Sequence, residues 1–173
     1  MFFTKNIYLI RKTGNQIKGK NKEVVLSTIF FVLFISVSAL FAFTASTIGS
    51  FLIIDTSYSL IIGSVLISIN LFIGAVSLIN MKDSWRVGVL EDQKTQLIER
   101  GIYKFSRNPY FLSYIMMFIA YTVLLQNIIL FGLSIIGFLF IHSMISKEEQ
   151  YLLRIHRDSY IQYKKRVPRY FII

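Results

Sequence analysis

The chain has 173 residues, 54% of them hydrophobic and 16% charged, against roughly 25% charged in soluble domains. A single soluble domain of this length has no interior large enough for so much apolar side chain, so the bilayer is the natural solvent. With no cysteine and two histidines, His142 and His156, disulfides, thiolate nucleophiles and Cys- or His-rich metal centres are excluded.

Residues 1–23 form a basic lead. Its "MFFTKNIYLIRK" has the aromatic and cationic character of an interfacial helix. The first apolar run extends from Val24 to about Ile54, too long for a signal-peptide core and without a clear cleavage site, which makes it a retained anchor. It exceeds one span, and the small, polar "TASTIGS" is expected to end its helix. A second run, Thr56 to Asn80, completes a two-helix anchor over 24–80, and a polar linker occupies 81–108. The third run, Pro109 to Leu125, has 17 residues, the lower limit for spanning. It is therefore expected to be short, tilted or shielded. Gln126-Asn127 is the only polar break before the fourth run, Asn127 to Ser146, so 109–146 reads as a tight helical hairpin. The expected fold is all-α and integral to the membrane, with about four transmembrane helices and a polar C-terminal helix and tail over 147–173.

Net charge is +10. In a soluble protein that would suggest nucleic acid, but here position decides. The 19 Lys and Arg lie in 1–22, 82–107 and 147–169, and none lies near 46–57 or 126–127. Four spans put all three basic segments on one side, which the positive-inside rule makes cytoplasmic, both termini included. The charge sets topology and attracts anionic membrane lipids, so nucleic acid is not an expected partner.

Two stretches carry chemistry. In "GIYKFSRNPY", Gly101 to Tyr110, Asn108 is placed to N-cap the third helix with Pro109 at its first position. That helix start and Arg107 together present positive charge. In "HSMISKEEQYLLRIHRDSYIQYKKRVPRYF", His142 and Glu149 are seven apart and share a helix face. Glu148 and Glu149 stand where the span leaves the membrane. Adjacent carboxylates cannot share a face, so one is expected to point to a site and the other to solvent, Arg154 or Lys147. Phosphate-binding and dinucleotide-binding glycine motifs, nucleophile elbows and zinc helices are missing from the sequence.

The ordered set "GIYKFSRNPY", "EEQYL" (Glu148 to Leu152), Tyr160, Tyr163 and "VPR" (Val167 to Arg169) resembles the isoprenylcysteine carboxyl methyltransferase and phospholipid methyltransferase superfamily over roughly residues 95–171. Asn108 stands where that family usually has histidine. Asparagine keeps the hydrogen bonding but does not titrate.

The resemblance implies an integral-membrane methyltransferase core over 81–173. It also implies S-adenosylmethionine as donor, with S-adenosylhomocysteine left as product, and a lipid or prenylated lipophilic acceptor. In that reading Gly101, Tyr103, Arg107, Asn108, Pro109, Tyr110, His142, Glu148 and Glu149 bind the cofactor, and Arg169, Glu149 and Tyr163 are catalytic. The helix start and Arg107 suit the cofactor's carboxylate, a glutamate its ammonium or ribose, and Tyr103 and Tyr110 its adenine. Tyr160, Tyr163 and Arg169 belong to a segment folded back as a lid. The tail is most like the carboxyl O-methylating branch. An amine N-methylating enzyme, a sterol-reductase-type protein using a nicotinamide cofactor, and a non-catalytic protein of the same fold remain the alternatives.

Overall fold

The computed structural model describes residues 22–44, 47–81 and 96–171. The basic lead apart from its last two residues, and positions 82–95 of the linker, lie outside them. The elements run α1 (Lys22–Thr44), α2 (Thr56–Met81), a short 3-10 turn (Gly101–Lys104), α3 (Pro109–Leu125) and α4 (Ile128–Arg166). The described residues form helices and connections only, the expected all-α membrane architecture.

Among the described residues, three helices are long and apolar enough to cross a bilayer: Val25–Thr44 within α1, α2, and α4. At 17 residues, α3 rises roughly 25 Å against about 30 Å of hydrocarbon. Its neighbours explain how so short a helix is accommodated. The small residues Ser59, Gly63, Gly74 and Ser77 let α2 lie close on one flank of α3, where Gly63 meets Leu124 and Gly74 meets Ser113. On the other flank Phe30 and Phe34 of α1, Phe118 of α3, and Leu130, Ile141 and Ile145 of α4 form a buried cluster. Phe118 is held edge-on by Phe30 and Phe34 and stacked by Phe31. Along α3 only Ile119 is strongly exposed, so the shortest helix is the shielded one.

Hydroxyls inside the spans are satisfied locally. Ser38 donates to the Phe34 carbonyl at 2.8 Å and Ser77 to that of Ile73 at 2.6 Å, each one turn back. A bilayer offers no water to do this.

The first apolar run breaks as expected, α1 ending at Thr44. Gln126, in the left-handed conformation at φ 42°, and Asn127 do more than break the third run from the fourth. Gln126 Oε1 accepts from the Ile53 and Ile54 amides, both at 3.0 Å, and its Nε2 donates to the Ile54 carbonyl at 2.9 Å. Asn127 Nδ2 donates to the Ile48 carbonyl at 2.8 Å, while Oδ1 caps α4 at the Ile129 and Leu130 amides. One polar turn thus ties the α1–α2 connection to the hairpin.

At the opposite end α4 continues well beyond a span and bends at Arg157, whose φ of 43° is not helical. No glycine or proline marks that bend. It turns the last two helical turns so that Tyr160 and Tyr163 pack with Val167 against Leu97 and Leu152.

Candidate functional site

Residues 101–110 and 142–170, far apart in sequence, meet at the end of the bundle away from Gln126. Gly101 opens the approach at φ 60°, a conformation that strains any other residue, and a Cβ there would displace the Asn80 side chain. The 3-10 turn follows and buries Tyr103.

Ser106, Arg107 and Asn108 then clasp the backbone of Val167, Pro168 and Arg169. The Arg107 amide donates to the Pro168 carbonyl at 2.9 Å, and its Nη1 donates to the carbonyls of Val167 at 2.6 Å and Lys164 at 3.1 Å. Ser106 Oγ donates to the Arg169 carbonyl at 3.0 Å and accepts the Asn108 amide at 3.1 Å. The "RNP" and "VPR" stretches are two halves of one joint.

At its centre lies Glu149, 6% exposed. Its Oε1 accepts from Arg107 Nη2 at 2.9 Å and Nε at 3.2 Å, from Asn108 Nδ2 at 3.1 Å and from Arg169 Nε at 3.3 Å. Its Oε2 accepts from Arg169 Nη2 at 2.8 Å. Arg169 therefore grips the carboxylate bidentately, the strong form of such a pair. Burial pushes the Glu149 carboxyl up, but the hydrogen bonds and charges of Arg169 and Arg107 outweigh it and hold the group below the ordinary carboxylate range.

The N-cap expectation for Asn108 is corrected by this geometry. Asn108 occupies the cap position of α3, yet its side chain makes no cap hydrogen bond. Its amide is turned to Glu149 and, at 3.4 Å, to the Arg169 carbonyl. Donation from Nδ2 to the buried carboxylate fixes the side chain in an orientation in which Oδ1 accepts no cap hydrogen bond. Pro109 keeps its expected first position.

The remaining candidates are distributed around this cluster. His142 joins it through Arg169, with Nε2 3.4 Å from Nη1, and its Nδ1 lies 3.0 Å from Tyr170 Oη. Glu149 is the inward member of the glutamate pair and Glu148 is half-buried. Tyr163 donates to the Tyr103 carbonyl at 2.7 Å, which makes it a strut between the folded-back helix and the 3-10 turn. Tyr110 pairs with Tyr114, hydroxyl to hydroxyl at 2.7 Å, inside α3. Two buried hydroxyls, Tyr103 Oη and Tyr160 Oη, have no hydrogen-bond partner among the described residues. Burial first, then Tyr163 and Glu148, raise the Tyr103 phenol far above its ordinary value; burial and Glu149 raise Tyr160. Both stay protonated, able to donate.

Ser106 and Tyr170 were not foreseen. Ser106, fully buried, is an ordinary serine by sequence, and Tyr170 follows "VPR" with nothing to distinguish it from a lipid-contacting aromatic. No three acidic or histidine side chains among the described residues could hold a metal ion.

An all-α membrane bundle, with a buried carboxylate clamped by two arginines where its longest helix leaves the apolar zone, is an integral-membrane protein with a polar site at one face. The chain belongs to the isoprenylcysteine carboxyl methyltransferase (ICMT) family, whose profile matches residues 59–154. The match takes in most of α2, which the motifs alone had not connected to the family, and ends before Tyr160, Tyr163 and Val167–Arg169. The tail joins the site through the contacts above. No curated protein and no solved structure matches the chain.

Proposed function

We propose that the protein transfers a methyl group from S-adenosylmethionine to the carboxylate of a lipophilic, prenylcysteine-like acceptor at the membrane surface. The observation that carries this reading is the charge of the cluster: two guanidinium groups share one carboxylate, leaving a positive excess in a largely buried place. An anionic ligand group offsets that excess.

The residues present fit the cofactor. Tyr103 and Tyr160 offer buried unpaired hydroxyls to a ligand rich in acceptors. Glu148 offers a carboxylate to its ammonium. Arg107 is committed to Glu149 and to three backbone carbonyls, so Arg169, 30% exposed at its side chain, is the better candidate for the ligand's carboxylate. When bound, the cofactor supplies a methyl group activated on a sulfonium. Glu149, itself bonded by Asn108, holds the two guanidiniums in place, the 167–170 segment excludes water, and the bundle positions an acceptor arriving from the bilayer.

The same chemistry favours a carboxylate over an amine acceptor. An ammonium group must lose a proton before it can be methylated. Glu149 is held ionised by two arginines and is a poor base, and Tyr103, Tyr160 and Tyr163 are held protonated. A carboxylate arrives deprotonated and is drawn by the positive excess. We also take the site face as cytoplasmic, from the distribution of Lys and Arg.

The test is methyl transfer by the purified protein from labelled S-adenosylmethionine to an N-acetylated prenylcysteine, with its carboxamide and a phosphatidylethanolamine as controls. Label is expected in the first alone. Calorimetric titration of the cofactor should give binding that Arg169→Ala weakens severely. Absence of binding by wild type would sink the methyltransferase reading.

A further inference from the structure

Because α3 is shorter than the hydrocarbon is thick, its first residue, Pro109, lies at or within the hydrocarbon boundary. The chain just before it therefore runs among lipid headgroups. Phe105 is there, 65% exposed, beside exposed Lys104. The residues around this pair are fixed. The Tyr103 carbonyl accepts from Tyr163, Ser106 donates to the Arg169 carbonyl, and Arg107 donates to the carbonyls of Lys164 and Val167. A straight α4 would carry its last turns away from the bilayer. The bend at Arg157 instead brings the chain back, until Tyr170 packs against the buried Phe30–Ile145 cluster of the spans. Phe171 follows it, exposed at the same boundary. Lys164 and Lys165 are exposed on the returning helix. Among the described residues no carboxylate pairs with Lys104, Lys164 or Lys165, whereas Arg166 beside them has Glu99 at 2.7 Å.

We propose that Phe105, Phe171, Lys104, Lys164 and Lys165 form a docking surface for the anionic lipid headgroups of the adjoining leaflet, so that the bent end of α4 lies on the bilayer. Two observations select this occupant. The surface is continuous with the membrane spans, at the depth where aromatic rings enter the acyl boundary. The three unpaired ammonium groups, on flexible stems that reach outward past the rings, complement lipid phosphates at that depth. A soluble acidic partner would use the charges but leave the two rings in water. The ionic joint is built from the same two chain segments, so docking holds it at the boundary between lipid and water. The surface is a property of the chain itself and does not depend on methyl transfer.

The test measures depth. Full-length protein with a nitroxide on Phe105→Cys, Phe171→Cys or, as the control at the tip of the bend, Arg157→Cys is placed in nanodiscs of phosphatidylcholine mixed with phosphatidylglycerol. Collisions with lipid-soluble oxygen should dominate over collisions with a water-soluble nickel chelate at positions 105 and 171, and the reverse should hold at 157. In phosphatidylcholine alone, or at high salt, the first two labels should lose part of that preference. Combined Lys104→Gln, Lys164→Gln and Lys165→Gln should remove its dependence on phosphatidylglycerol and salt. The unfolding midpoint of unlabelled wild type should also rise as phosphatidylglycerol is added, a measurement that needs no variant. Nickel-dominated collisions at 105 and 171 in both lipids would show a face turned to water and open to a soluble partner, and would overturn the proposal. Label depths and a wild-type midpoint indifferent to phosphatidylglycerol would overturn it equally, by showing apolar contact without headgroup binding.

Discussion

Glu149 stabilises the joint only as an anion, because all five of its hydrogen bonds are accepted from arginine or asparagine N–H groups. Glu149→Ala leaves two guanidiniums facing each other with no anion between them. Breaking a buried pair in this way costs about 3–5 kcal/mol. Thermal unfolding in detergent should show that loss, and Asp, one methylene shorter, should recover only part of it. Acid acts on the same charge. Since the folded-state affinity of Glu149 for a proton is lowered, its contribution is fully present above the ordinary value of 4.5 and is lost as pH falls below it. An unfolding series from pH 7 downward should therefore show a stability loss setting in below about pH 4.5 that Glu149→Gln lacks. Asn108 shows how a residue can be read correctly in position and wrongly in role. The sequence placed it at a helix start, where a cap is the ordinary use of asparagine. Only the arrival of Glu149, 41 residues later, reveals the stronger partner, and no local rule contains that distance.

At the scale of elements, the apolar runs and their polar breaks were legible because hydrocarbon thickness imposes them on the sequence. The shielding of α3 was less so, since it depends on which faces of α1, α2 and α4 meet it. Gly137 makes that packing testable. A Cβ there would run into the rings of Phe118 and Phe30, both fixed by further aromatic neighbours. Gly137→Ala is expected to lower stability by about 1–3 kcal/mol, the usual range for overpacking, whereas Gly132→Ala, whose Cβ meets nothing, should not be destabilising in the same thermal assay. The Gln126 turn gives the complementary case, in which polarity was visible and its purpose was not. Gln126→Leu removes the partner of two amides and one carbonyl in the α1–α2 connection. The bend at Arg157 left no mark in composition: its cause is the burial of Tyr160 and Tyr163, a tertiary effect that overrides local preference.

At the scale of the whole molecule, charge and site tell one story. Every described residue of the ionic joint lies at the end of the bundle that holds the start of α1, the end of α2 and the exit of α4 from its apolar stretch, and the basic segments flank that end in sequence. The opposite end, with Gln126, Asn127 and the 47–55 connection, has no Lys or Arg. From the positive-inside rule we propose that the bundle is oriented with its site toward the cytoplasm, where a water-soluble charged cofactor would be supplied. The chain has no cysteine, so single cysteines can be introduced into an otherwise unreactive background. Ile48→Cys, exposed in the α1–α2 connection, should react with a membrane-impermeant maleimide applied to intact cells. Lys165→Cys, exposed beside the ionic joint, should react only after the membrane is opened. The reverse pattern would place the site outside and remove the cytoplasmic assignment, while leaving the joint, the fold and the family as they are.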